Sequence, residues 1–124
     1  MPKFVEMDDQ VSLFEQMEEE DSAGPVVLIN KFNVAPDEVA QLLKAWAADA
    51  AVMQRQPGYI STQLHRGIGG SCVFLNYAVW ESTAHFKRAF HNPEFQSQLR
   101  HYPSSALASP HLFRKLAVPG VCVE

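Results

Sequence analysis

The chain has 124 residues, of which 47% are hydrophobic, 19% charged and 10% aromatic, the balance of one folded domain and not of a disordered chain or a two-domain enzyme. The formal net charge of −4 is unevenly divided: residues 1–24 carry eight of the fourteen acids against Lys3 alone, and the remainder is mildly basic without a basic stripe, which excludes the electrostatic footprint of a nucleic-acid binder. Cys72 and Cys122 match no metal-ligand spacing and are too few for a secreted disulfide framework, so they read as structural free thiols. With neither a basic and apolar leader nor an apolar run of membrane length, the expected location is cytoplasmic, with no membrane partner.

In chain order, the acidic stretch Asp9–Glu20 places Val11, Phe14 and Met17 at an i, i+3, i+6 spacing, enough for one weakly amphipathic helix that Ser22-Ala23-Gly24-Pro25 breaks. It reads as a solvated extension or as an arm that lays Phe14 and Met17 on a partner subunit. Val26–Val34 is β-branched and apolar, a buried strand. Pro36-Asp37-Glu38 opens a helix, with Pro at its first position and acids on the positive end of the dipole. Val39, Leu42, Leu43, Trp46, Ala50 and Met53 then recur on one face. Pro57-Gly58 ends that helix. Tyr59–Arg66 alternates as a second strand, with Ile60, Thr62 and Leu64 opposing Tyr59, Ser61, Gln63 and His65.

The glycine-rich Gly67–Ser71 connects to a third strand, Cys72–Trp80, apolar on both faces and therefore central. Glu81–Phe90 is a short helix, Asn92-Pro93-Glu94 caps a further helical piece to His101, and Leu112–Val118 supplies the last strand before Pro119-Gly120. The order strand, helix, strand, strand, helix, strand is the split βαβ arrangement of a ferredoxin-like α+β fold with a four-stranded antiparallel sheet. Helices cover only one face of such a sheet, so Val73, Leu75, Tyr77 and Val79 predict a homodimer in which two sheets pack face to face.

Phosphate loops, nucleophile elbows, Rossmann glycines and zinc spacings are all missing, so the sequence offers no support for a metal or other cofactor. On the third strand Cys72, Phe74, Asn76, Ala78 and Trp80 share a face. Asn76 and Trp80 stand roughly 13 Å apart along the strand, far enough to bracket a flat aromatic ligand. A polar amide in so apolar a strand is either tied to the backbone or kept for a ligand.

The run Asn76-Tyr77-Ala78-Val79-Trp80-Glu81-Ser82 resembles the signature of the cofactor-independent quinone-forming monooxygenases of aromatic polyketide pathways, within the antibiotic biosynthesis monooxygenase family. Pro57-Gly58-Tyr59, His65, Pro93, Leu99 and Arg100 extend the resemblance, which spans roughly residues 25–119. With the acidic extension over 1–24 and a tail over 120–124 outside it, the resemblance implies a monooxygenase-like domain over 25–119 and a dimeric α+β barrel with one site per subunit. It also implies a small aromatic substrate oxidised with O2, Asn76 and Trp80 as catalytic groups, and Arg100 as the group that offsets a phenolate charge. Phe74, Phe86, Phe90 and Trp46 are the expected walls of the substrate site.

One position departs from the pattern. Phe86 stands where the resemblance implies a tyrosine, and a phenyl ring can neither donate a hydrogen bond nor exchange a proton. His65, with an ordinary pKa of ~6.5, is then the expected base, and a non-catalytic ligand-binding or stress-related dimer of the same fold is the alternative. The haem-degrading members of the superfamily are a further alternative: Asn30 fits their first-strand Asn, but Ala89 and Leu99 stand where their Trp and His are expected, so haem ligation has little support.

Overall fold

A computed structural model of the protein describes residues 2–19 and 24–123; Ser22 and Ala23 of the expected helix break, and the last residue of the tail, lie outside them. Five strands and four helices follow in the order β1 (Lys3–Phe4), α1 (Leu13–Glu18), β2 (Val26–Asn33), α2 (Val39–Gln54), β3 (Tyr59–Arg66), β4 (Val73–Trp80), α3 (Thr83–Phe90), α4 (Pro93–Gln98) and β5 (Leu107–Phe113). Short 3-10 turns precede α2 at Pro36–Glu38 and follow α4 at Leu99–His101. The strands form one mixed sheet in the order β1-β5-β2-β4-β3, the ferredoxin-like core with one strand more than the sequence predicts. No helix of the described residues is long and apolar enough to cross a membrane.

Side-chain caps set the helix starts. Ser12 and Glu15 exchange side-chain and backbone bonds in a capping box on α1, Ser82 Oγ accepts from the His85 amide on α3, and Asn92 Oδ1 accepts from Glu94 on α4. The helix α1 packs on its own chain. Leu13 and Met17 are 3% exposed, whereas Phe14, at 57%, meets Phe90 only by its edge.

The last strand departs from expectation: it runs over Leu107–Phe113, and Leu116 and Val118 lie outside it, exposed. Pro110 hid this strand, because a proline removes a ladder donor. The Ala108 carbonyl accepts from Val5 of the N-terminal segment at 2.9 Å, and the Leu112 amide donates to Gln16 Oε1 at 2.9 Å. With a period of two, Pro110 lies between them facing the same outer edge, where its missing N–H interrupts no bond to β2. Gln16 Nε2 also donates to the Leu112 carbonyl, so the α1 side chain closes the edge that β1 leaves open.

On the inner face β2 sets Leu28, Asn30 and Phe32 opposite Ala78, Asn76 and Phe74 of β4. With Trp80, Phe86, Leu42 and Ala108 these apolar residues form the core between sheet and helices. Opposite it, Ile29, Leu75, Tyr77 and Val79 are half-buried or exposed. At the corner after α2, Gly58 has φ +87, and a Cβ there would stand 2.3 Å from His85. Glycine is required at this corner both for its left-handed backbone and for the close approach of α3. The Glu81 amide donates to the Gly58 carbonyl at 2.8 Å, locking the end of β4 against it.

Candidate functional site

Between the inner face of the sheet and the helices lies a partly open cavity of about 60 Å³. A water needs about 10–15 Å³ on this measure, so the space has room for several waters. Its walls are largely apolar: Trp46 and Met53 from α2, Phe86 and Phe90 from α3, Phe95 and Leu99 beyond them, and Leu28 and Ala78 from the sheet. The aromatic rings are mutually braced. Trp80 meets Tyr59 and Phe86 edge-on at 5.7 and 5.9 Å between centroids, and Phe32 stacks on Tyr102 at 5.7 Å.

Into this apolar space come a few polar groups. Asn30 and Asn76 are direct partners across β2 and β4, and both line the cavity. The Thr62 hydroxyl of β3 donates to Asn76 Oδ1 at 2.5 Å, so the amide is tied to a side chain and not to the backbone. Trp80 is 1% exposed, and its Nε1 has no partner. Among the described residues four buried side-chain polar atoms lack a partner: Asn30 Oδ1, Asp49 Oδ1, Trp80 Nε1 and His111 Nδ1. Three of these four residues line this one cavity. Each such atom costs about 1–3 kcal/mol until a water or ligand completes it. The residues that line the cavity thus carry two acceptor atoms and one donor atom without partners.

Asp49, on the inner face of α2, is the one acid that lines the cavity among the described residues. Burial pushes its carboxyl up to about 7, opposed by the Tyr102 hydroxyl, which donates to Asp49 Oδ2 at 2.8 Å. Burial, and then the Asp49 charge, raise the Tyr102 phenol in turn.

Of the residues singled out in the sequence, the cavity brings together Asn76, Trp80, Trp46, Phe86 and Phe90. Phe74, 2% exposed on the same face, lies outside its walls, with the Arg66 guanidinium 5.1 Å from its ring centroid. His65 pairs with Leu75, on the opposite face of the sheet from Asn76, and is exposed, so it is removed from any ligand in the cavity. The two-residue alternation is the reason: Leu64 pairs with Asn76 on the inner face, so the next residue, His65, turns outward, while a register shift at Tyr59/Ser61 turns Tyr59 inward with Thr62 and Leu64, and Ile60 outward. Arg100, in the 3-10 turn after α4, is exposed and is not among the cavity's walls.

Sequence reasoning missed Asp49, Tyr102, Thr62 and Tyr59, and also Pro2 and Phe4, which bring the N-terminal segment to the cavity wall. Asp49 had left a trace, being an acid within the apolar face that Trp46, Ala50 and Met53 define.

An α+β sheet-and-helix layer enclosing a mostly apolar cavity with convergent polar groups is a small-molecule site. The antibiotic biosynthesis monooxygenase profile matches residues 25–98. SnoaB, a cofactor-independent oxygenase from Streptomyces nogalater, is 27% identical with a TM-score of 0.69 over 79% of this chain and 99% of that one. An inferred monooxygenase from Shewanella loihica PV-4 is 34% identical at a TM-score of 0.67, over 78% and 98%. A protein from Methanosarcina mazei Go1, 10% identical at a TM-score of 0.66 over 75% and 94%, shares the fold. No curated protein sequence matches significantly. The chain belongs to the antibiotic biosynthesis monooxygenase family, and at that level it is a monooxygenase, an oxidoreductase.

The raised Asp49 carboxyl makes stability depend on pH. Folding favours its neutral form, so the penalty is absent below the ordinary value of 3.8 and fully present above about 7. From pH 5 to pH 8 the protein is expected to lose about 2–3 kcal/mol of unfolding free energy relative to Asp49→Asn, as read from urea denaturation of both. Parallel pH dependences in the two proteins would contradict the assignment.

Proposed function

We propose that the protein oxidises an electron-rich phenol or related polycyclic aromatic to a quinone with molecular oxygen, without a cofactor. The observation that carries this reading is that Asn30, Asp49 and Trp80, each with a buried polar atom lacking a partner, line one aromatic-walled cavity. Likeness to SnoaB, a cofactor-independent oxygenase, supports it. A deprotonated phenol is itself an electron donor to oxygen, so the protein has to bind it, stabilise its anion and exclude bulk water. For a phenol with a para C–H the reaction balances on its own: one atom of O2 becomes the new carbonyl oxygen, the other leaves as water, and the substrate supplies all four electrons.

In this reading Trp46, Phe86 and Phe90 hold the ring in the cavity. Asn76, fixed by Thr62, and the Trp80 indole N–H serve the oxygen that gains charge. Arg100 stands outside the walls, which leaves neutral dipoles to offset the phenolate. The second reading, a ligand-binding protein without chemistry, draws on Phe86, which is 1% exposed and brings no hydroxyl to the cavity.

Oxygen uptake with dihydroxynaphthalenes and anthrones in metal-free buffer separates the two. Asn76→Ala and Trp80→Phe are each expected to lower kcat/KM about 10–100-fold, the worth of one hydrogen bond to a developing charge, and Arg100→Ala to stay within about twofold. Uptake that neither Asn76→Ala nor Trp80→Phe changes would refute the oxygenase reading. The protein is also proposed to act as a homodimer through the uncovered face of the sheet, where Leu75, Tyr77 and Val79 are too apolar for a free surface. Light scattering at micromolar concentration is expected to return the mass of two chains; the mass of one would reject the dimer.

A further inference from the structure

Phenol oxidation by O2 begins with loss of the phenolic proton, and neither Phe86 nor His65 takes it: the first has no basic atom, and the second is on the far side of the sheet. The other four histidines are absent from the cavity walls as well. His85 is bound to Ser82, His91 and His101 are exposed, and His111 pairs with Gln16 from β5. Among the described residues, Tyr59 of β3 and Tyr102 before β5 are the titratable groups that line the cavity besides Asp49, and no Lys, Arg or His lines it.

Resting on the oxygenase reading above, we propose that Asp49 is the catalytic proton acceptor, its unpartnered Oδ1 taking the proton of a bound phenol while Tyr102, donating to Oδ2, is the positioning residue that orients the carboxylate. Two features of the geometry carry this. Of the two carboxylate oxygens, Oδ2 accepts from Tyr102 at 2.8 Å, and Oδ1 is buried without a partner on a residue that lines the cavity. Asp49 also follows Trp46 by three residues on the face of α2 that lines the site, so a ring packed on the Trp46 indole has the carboxylate beside it. A carboxyl held near 7 matches a base that operates at neutral pH.

In the step itself the phenolic O–H bond breaks, the Asp49 Oδ1–H bond forms, and the electron pair stays on the substrate oxygen. The resulting phenolate then gives electrons to O2. Charge moves from one buried acid to another, so the net charge of the cavity does not change while the substrate becomes the reductant. Neutral donors such as the Trp80 N–H are then sufficient to hold the anion, which accounts for a site without a cationic wall.

The test is the pH profile of oxygen uptake for the parent, Asp49→Asn and Tyr102→Phe with one dihydroxynaphthalene, beside thermal unfolding of each. Parent kcat is expected to rise with pH through a value near 7. Asp49→Asn should lose roughly 10²–10⁴-fold at pH 7 and recover much of it near pH 10, where a phenol ionises unaided. Tyr102→Phe removes a bond that favours the carboxylate, so its rising limb should move to higher pH with the plateau largely kept. Uptake by a folded Asp49→Asn within threefold of the parent, or an unmoved limb in a folded Tyr102→Phe, overturns the respective assignment and leaves the oxygenase reading standing. Absence of uptake by the parent with every phenol overturns both.

Discussion

The antiparallel pairing of β2 with β4 holds Asn30 directly across from Asn76, and the two-residue repeat of each strand then decides what surrounds them. Leu28, Phe32, Phe74, Ala78 and Trp80 go to the same side, where the helices bury them, so two amides and an indole N–H are drawn into the apolar layer of the domain. A shift of one residue would turn all of them to the other face and abolish both core and cavity. The cost of keeping polar atoms there, about 1–3 kcal/mol for each without a partner, is tolerable because the aromatic packing around Trp80 is extensive. Its removal from such a core costs about 3–5 kcal/mol on its own.

Much of this was legible in the sequence. The alternation of Cys72–Trp80 gave the shared face of Asn76 and Trp80, the 3.6-residue repeat from Val39 to Met53 gave α2, and Ser82 and Asn92 marked the helix starts that the caps realise. The parts that stayed hidden have physical causes. A bulge at the start of β3 reverses the expected facing of Tyr59, and no periodicity records where a register shifts. Pro110 disguised β5, because whether its missing N–H matters depends on which side of the strand it faces. A two-residue strand such as β1 has no pattern to detect, yet through it Pro2 and Phe4 reach the cavity.

Asp49 shows the same limit from the side of chemistry. Its place among apolar neighbours could be seen in the chain, but its burial and its bond from Tyr102 depend on contacts 53 residues apart in sequence. Those contacts separate a solvated acid from one that stays half neutral at physiological pH. The N-terminal segment acts similarly at a distance: α1 seals the outer edge of β5 through Gln16 and meets Phe90 with Phe14, and Pro2 and Phe4 line the cavity, so a segment outside residues 25–98 of the family match contributes to the wall of the site.

The central claim, that this cavity receives a phenol on the polar groups drawn into it, is tested most directly by the indole N–H resonance of Trp80, assigned with Trp80→Phe, in a 15N-labelled protein titrated with 1-naphthol without oxygen. The account predicts a saturable shift of that resonance as the N–H acquires an oxygen acceptor. A Trp80 resonance that stays in place while naphthol binds elsewhere, or does not bind, would contradict it.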